Sequence, residues 1–375
     1  MHAPTVDYLL TRIADNQAIN SPFFINGLLP AYRYNAAWAY HRPDQNLFFT
    51  AISLFTLQRL IPLLTTAEQT ILDPIMARAL PAYDRFRNKD GLATYNFYAT
   101  NPSAHFPHGW LMHRFRHFQL PDDIDDTAMV YLTRSGGPSQ PAASDLDFLS
   151  KKLARHANRT SLTVQNTFPE YRQLRAYSTW FGLHMPIEFD ACAMTNMLYA
   201  VYEYGLPLDV HAQDSLAFLA DIVQTDRYRT DPFRCAHNYA RTPLIAYHLA
   251  RLIGRFDPEP LQAIRQKFIA DLNADFSRTT SRPDQLLIAI ALMRLGQMPP
   301  IDVPMDTIEA DFAPFSFFIA GLLSAYTQPW LYRWANRPFW HIRWQCDDHN
   351  RVLLLEYLVL KRQLAAKPVR SVVTD

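Results

Sequence analysis

Three carboxylates, Asp123, Asp125 and Asp126, fall within four positions, directly ahead of the apolar run Thr127-Ala128-Met129-Val130-Tyr131-Leu132. Carboxyls buried this close together cannot all ionise. Burial and like charge both favour the neutral form, so one of them is expected to keep its proton near neutral pH and to donate it as a general acid. Acids at a helix start also cap free backbone N–H groups and suit the macrodipole, which is the competing reading for Asp123 and Asp126.

The string Asp123-Ile124-Asp125-Asp126-Thr127-Ala128 resembles the D-x-D-D-T-A signature of class II terpene cyclases, the squalene-hopene and copalyl diphosphate type. Their chemistry begins by protonating a carbon-carbon double bond, a very weak base that needs a neutral carboxylic acid in an apolar cavity. The resemblance implies that Asp125, the middle acid, is the proton donor, with Asp123 and Asp126 orienting and tuning it. It further implies an isomerase or lyase-type cyclase acting on a linear isoprenoid or prenylated substrate. The acid step would need no cofactor, and Mg2+ would enter only with a diphosphate-bearing substrate. The likeness is sharp over this string and general elsewhere: no Q-x-x-x-x-x-W repeat and no second acidic motif for magnesium stands in the chain. Family members usually place the cavity between the acid-bearing barrel and a partner domain. Here the missing wall could come from a second copy in a homodimer, from a loop, or from the barrel's own interior, and a small substrate fits one barrel best.

A carbocation needs walls without nucleophiles, and aromatic faces stabilise positive charge through their quadrupoles. Tyr95, Phe97, Trp110, Trp180, Phe181, Tyr199 and Tyr202 lie near the motif helix or the next repeat and are candidate walls. Simple core packing is the competing reading for each. Arg114 and Arg116, just before the motif, and Arg87 and Lys89 further upstream, are the cations nearest in sequence that could hold a diphosphate.

The elements positioning these groups read as helices almost throughout. Apolar periodicity of helical type runs from Asn46 to Leu64, Ala67 to Tyr83, Asp126 to Thr133, Ser144 to Ala157, Phe189 to Tyr204 and Ala212 to Val223. It continues from Pro243 to Ile253, Glu259 to Leu272, Asp284 to Leu295, Phe315 to Ala325 and His349 to Leu360. Several of these begin with an acid before an apolar run and alternate with more polar helices, as apolar inner helices ringed by amphipathic outer ones would. The expectation is an all-α fold: a single (α/α) toroid, or barrel, over residues 1–375. Asp44, Asp125, Asp190, Asp284 and Asp348 would then share one rim. Residues 87–121 lack helical period and are rich in aromatics, which marks a lid or wall feeding into the acids.

Composition narrows the function classes. Lys and Arg (36) nearly balance Asp and Glu (35), so no net field attracts nucleic acid. Cys192, Cys235 and Cys346 are odd in number and widely spaced, which suits a reducing compartment, and the first residues lack a signal-peptide pattern; a cytoplasmic protein is expected. A greasy substrate could still bring it to a membrane surface. Competing readings are a zinc-dependent prenyltransferase-like toroid, a carbohydrate-active toroid and a non-catalytic helical binding module. The first draws on Asp190-x-Cys192 with His237, His248 or His349, or on His105, His108, His113 and His117, of which His113 and His117 share a helix face. The second needs two facing acids such as Asp125 and Asp190. The third is favoured if Asp125 is solvent-exposed or salt-bridged to an Arg and so permanently ionised.

Overall fold

The computed structural model describes residues 3–105, 119–134, 141–182 and 185–366. In the first half, helix α1 (Val6–Asn16) precedes strands β1 (Ala31–Asn35) and β2 (Tyr40–Asp44), then α2 (Phe48–Leu60), α3 (Thr66–Ala79), α4 (Ile124–Arg134), α5 (Ala143–His156) and α6 (Ala191–Glu203). There follow α7 (Val210–Gln224), the single turns α8 (Arg227–Thr230) and α9 (Pro232–Cys235), α10 (Thr242–Phe256), α11 (Glu259–Gln262), α12 (Arg265–Arg278) and α13 (Arg282–Arg294). The chain closes with α14 (Ile308–Asp311), β3 (Phe318–Gly321), α15 (Pro329–Ala335), β4 (His341–Gln345) and α16 (Asp347–Ala365).

Six apolar helices pack in sequence, α2 on α4, α4 on α6, α6 on α10, α10 on α13 and α13 on α16, and α16 returns to α2. Nearly every residue of α4 and α6 is buried, as helices covered on both sides require. More polar helices lie outside: α1 against α3 and α16, α7 against α6, and α12 against α13. Gly254 of α10 allows one of the closest approaches, since a Cβ there would lie 2.2 Å from the Arg294 carbonyl oxygen at the end of α13. Partners at matching depths show that the six run the same way: Asn196 of α6 binds Asp125 at the start of α4, and Gln58 near the end of α2 binds the Thr133 carbonyl near the end of α4. Ser53 Oγ lies 2.9 Å from His349 Nδ1, Arg241 binds Asp284, and Asp125 binds Tyr239, just ahead of α10.

The all-α toroid expectation is corrected by a four-stranded antiparallel sheet, in the order β2-β1-β4-β3, which makes the molecule a mixed α and β protein. The apolar run Phe315 to Ala325, read as a helix, contains β3 instead; a short apolar run cannot be assigned by period alone, and here β4 supplies its hydrogen bonds. The predicted Glu259 to Leu272 helix is broken into α11 and α12. The sheet lies at the helix starts, with β2 leading into α2 and β4 into α16. Asp44 is its keystone. It accepts hydrogen bonds from Trp344 Nε1 (2.9 Å), Tyr98 Oη (3.1 Å) and Asn46 Nδ2 (3.0 Å), with Arg33 at 3.5 Å. Among the described residues, no helix is long and apolar enough to cross a membrane.

Candidate active site

The described part of the aromatic loop is built onto α4. Tyr95 N–H donates to Thr127 Oγ1 (3.0 Å), Asp123 N–H to the Tyr95 carbonyl (3.2 Å), and Tyr131 Oη to the Ala93 carbonyl (2.9 Å). Asp122 gathers the loop by accepting from Asn88, Thr94 and Asn96. Asp122 therefore anchors the loop, while the three acids after it turn inward.

Asp123, Asp125 and Asp126 are buried and line one cavity of about 100 Å³. Its aromatic walls include Phe48 from α2, Phe97 from the loop, Trp180, Tyr239, Phe318 from β3 and Trp344 from β4. The acids play different parts. Asp123 occupies the cap position of α4, accepting from the Asp126 N–H at 2.7 Å, so the capping reading holds for it. Burial pushes its carboxyl up to about 8, with repulsion from Asp125 adding to the rise. Asp126 is held well above the usual carboxylate range by burial and by Asp123, with which its side chain hydrogen-bonds. Burial and like charge thus both favour the protonated form in this pair. The Oδ1 of Asp126 has no protein partner.

Asp125 sits in the second residue of α4, facing α6 and α10. Its Oδ1 accepts from Asn196 Nδ2 at 2.6 Å and its Oδ2 meets the Tyr239 hydroxyl at 2.5 Å. Behind it, Arg251 Nη2 donates to Asn196 Oδ1 at 2.6 Å, which fixes the amide with its N–H toward the acid. Burial raises the Asp125 carboxyl to about 6, and the bonds from Tyr239 and Asn196 and the charge of Arg251 limit the rise. The main cause of this shift is burial, one of the two that the sequence suggested; the other, like charge, acts on Asp123 and Asp126. Replacing Tyr239 by Phe removes a donor that favours the ionised acid, so the pKa of Asp125 is expected to rise by about one unit. In a pH-activity profile, the alkaline limb of Tyr239→Phe should move upward by that amount; an unmoved limb would show that Tyr239 does not stabilise the carboxylate.

Of the predicted walls, Phe97 and Trp180 line the cavity. Tyr95 packs under Arg134, Phe181 beside His156, and Tyr199 between Phe55 and Phe256, all in the core around the site. Tyr202 stacks on Phe256. Trp110, Arg114 and Arg116 lie outside the described residues, as do His108, His113 and His117. His105 is buried and accepts from the Leu120 N–H at 3.2 Å. Arg87 bonds the Leu92 carbonyl and Lys89 bonds Asp90, both at exposed positions.

Asp190 caps α6, accepting from the N–H groups of Cys192, Ala193 and Asn238, so its oxygens are already engaged. His237 meets Tyr332, His248 donates from Nδ1 to the Leu244 carbonyl, and His349 bonds Ser53. Among the described residues, no group of three or more His, Cys, Asp or Glu side chains is placed to hold a metal ion.

Asn196, Arg251 and Tyr239 are site residues that the sequence reading missed. Asn196 and Arg251 left a signal, since a polar side chain inside an otherwise apolar buried helix must find a partner. Tyr239, in a connection, left none. In comparisons with known proteins, no family model, no curated protein and no solved structure matches the chain.

Proposed function

We propose that the protein is a protonation-initiated cyclase of the class II terpene cyclase type, with Asp125 as the acid that begins the reaction on a linear isoprenoid. The observation that carries this reading is a protonatable carboxyl at the wall of a cavity to which six aromatic side chains contribute. The proton of Asp125 adds to the terminal double bond and leaves a tertiary cation. Internal double bonds then attack in turn, forming the new carbon-carbon bonds, and loss of a proton or capture of water ends the sequence. Phe48, Phe97, Phe318 and Trp344 offer ring faces to the moving positive charge. Tyr239 and Asn196 stabilise the carboxylate left behind.

The binding-module alternative is favoured by an Asp125 that is solvent-exposed or salt-bridged to an Arg, and Asp125 is buried. Its hydrogen-bond partners are a hydroxyl and an amide, and Arg251 bonds Asn196 and not the acid itself. The cavity's modest volume, about 100 Å³, favours a short prenyl chain or the reacting end of a longer one. No metal takes part in the acid step; a diphosphate-bearing substrate would bring Mg2+ with it.

The test is incubation of the purified protein with prenyl alcohols and prenyl diphosphates of increasing length, with Mg2+ or with EDTA, followed by mass spectrometry of extracts. A cyclic product with the mass of its substrate, or that mass plus water, is expected from wild type and not from Asp125→Asn. Product formation that is the same in both would end the proposal, as would the absence of product at every length.

A further inference from the structure

A second cavity, of about 400 Å³, lies back to back with the one that holds the acids. Asn238, Phe318 and Ile319 line both, and the Ile319 N–H closes this common wall by donating to the Asn238 carbonyl at 2.8 Å. Side chains alternate along a strand. Trp344 of β4 therefore turns to the acids, and Arg343 turns to the second cavity. Phe315, Phe317, Leu244 and Pro338 give this cavity apolar sides. Its size, and its combination of apolar walls with few polar groups, are those of a small-molecule site.

The polar groups indicate what kind of molecule. The ionisable side chains at the walls are Arg241, Asp311, His341 and Arg343. Two are already neutralised, Arg241 by Asp284 and Asp311 by Arg282 at 3.1 Å. Burial lowers the pKa of His341, with the charge of Arg343 adding to the effect, so the imidazole is uncharged near neutral pH. Arg343 is half-buried, and among the described residues no carboxylate pairs with it. A guanidinium in that position carries a desolvation cost that an anionic ligand would relieve. Ser316 is a second unsatisfied group. It is only 6% exposed, it lines the cavity, and its hydroxyl has no hydrogen-bond partner among the described residues.

We propose that this cavity binds an aromatic monocarboxylate, with the carboxylate on Arg343 and Ser316 and the ring against Phe315 and Phe317. One surplus positive charge matches a monoanion, whereas a diphosphate would leave most of its charge unmatched in a partly desolvated site. A carboxylate alone would fill little of the volume. A flat ring occupies the rest, and it gains against phenylalanine edges and faces beyond the area it buries. The site stands apart from the cyclase reading and does not require that Asp125 protonate a substrate.

Isothermal titration calorimetry of the full chain with naphthoate, acetate, naphthamide and inorganic pyrophosphate reads binding alone, so its outcome is independent of turnover. Naphthoate should bind. Acetate lacks the ring and naphthamide lacks the charge, so each should bind more weakly by about tenfold or more. Arg343→Gln should weaken naphthoate by about tenfold or more, as loss of a charge-assisted hydrogen bond does, and Ser316→Ala should weaken it a few-fold. Neither side chain bonds another among the described residues, so melting curves of both variants should match wild type, which separates a lost site from a lost fold. No binding of naphthoate at millimolar concentration would overturn the inference, as would an affinity unchanged by Arg343→Gln. Pyrophosphate held more tightly than naphthoate, and released by the same substitution, would assign the cavity to a polyphosphate instead.

Discussion

Asp125→Asn is expected to leave cyclisation at least about a thousandfold below wild type, within the range by which positioned general acids accelerate proton transfer. The change removes the proton and little else. An amide keeps the size of the carboxylic acid and can still accept from Asn196 Nδ2, so α4 should retain its place beside α6. The pH dependence is a second reading of the same group. Only the protonated acid can begin the reaction, and the carboxyl titrates at about 6 in the folded protein. Activity should therefore be level below that pH and fall about tenfold per unit above it. A rate that rises through the same range would mean that Asp125 acts as a base.

Asp126→Asn should stabilise the protein at pH 8 by about 1–3 kcal/mol while changing its stability at pH 4 far less. The reasoning follows the proton. In the unfolded chain an Asp titrates near about 3.9. In the folded protein burial holds Asp123 up to about 8, and Asp126 is raised well above its ordinary value. Below both values the folded and unfolded chains are equally protonated. Above about 4 the unfolded chain loses protons that the folded chain still binds, so folding stability declines as pH rises, until the folded pair also titrates. Substituting one member removes the like charge, and the new amide can still donate to Asp123. Thermal melting of wild type and variant between pH 4 and 8 would show converging curves at the acid end; parallel curves throughout would show that the pair is not buried as a proton-sharing unit. If such a variant also proves impaired in cyclisation, the pair is a stability cost retained for function.

Much of the helical framework was legible from the sequence because the ring helices are apolar on almost every face and too long to be strands, as in Phe48–Leu60 and Ala191–Glu203. The acids were legible because three carboxylates cannot be buried together without consequence. The sheet was not. Its strands span four or five residues, and the pairs that define it join Tyr32 to Gln345 and Phe318 to Trp344, relations with no local imprint. For the same reason Phe318 and Trp344, which complete the cavity wall, could not be assigned to it, whereas Phe97 and Trp180 could be suggested from nearness to the motif. Tyr199 and Phe181 show the limit of that inference: both were suggested as walls from the next repeat, yet their rings are occupied with core neighbours.

The bond from Trp344 to Asp44 spans 300 residues of chain and ties the wall of the cavity to the start of α2. Contacts of such separation carry a loop-closure cost that must be met before they yield any gain, so they tend to form late. The helices can gather while the last two strands are still unpaired, and a partly folded chain would then hold its acids open to water with one side of their enclosure absent. On refolding from denaturant, far-ultraviolet ellipticity should return before the capacity to protonate a substrate, and the interval between them would measure how long the chain spends helical but unroofed. Simultaneous return of both signals would show instead that strand pairing and helix assembly are one cooperative event.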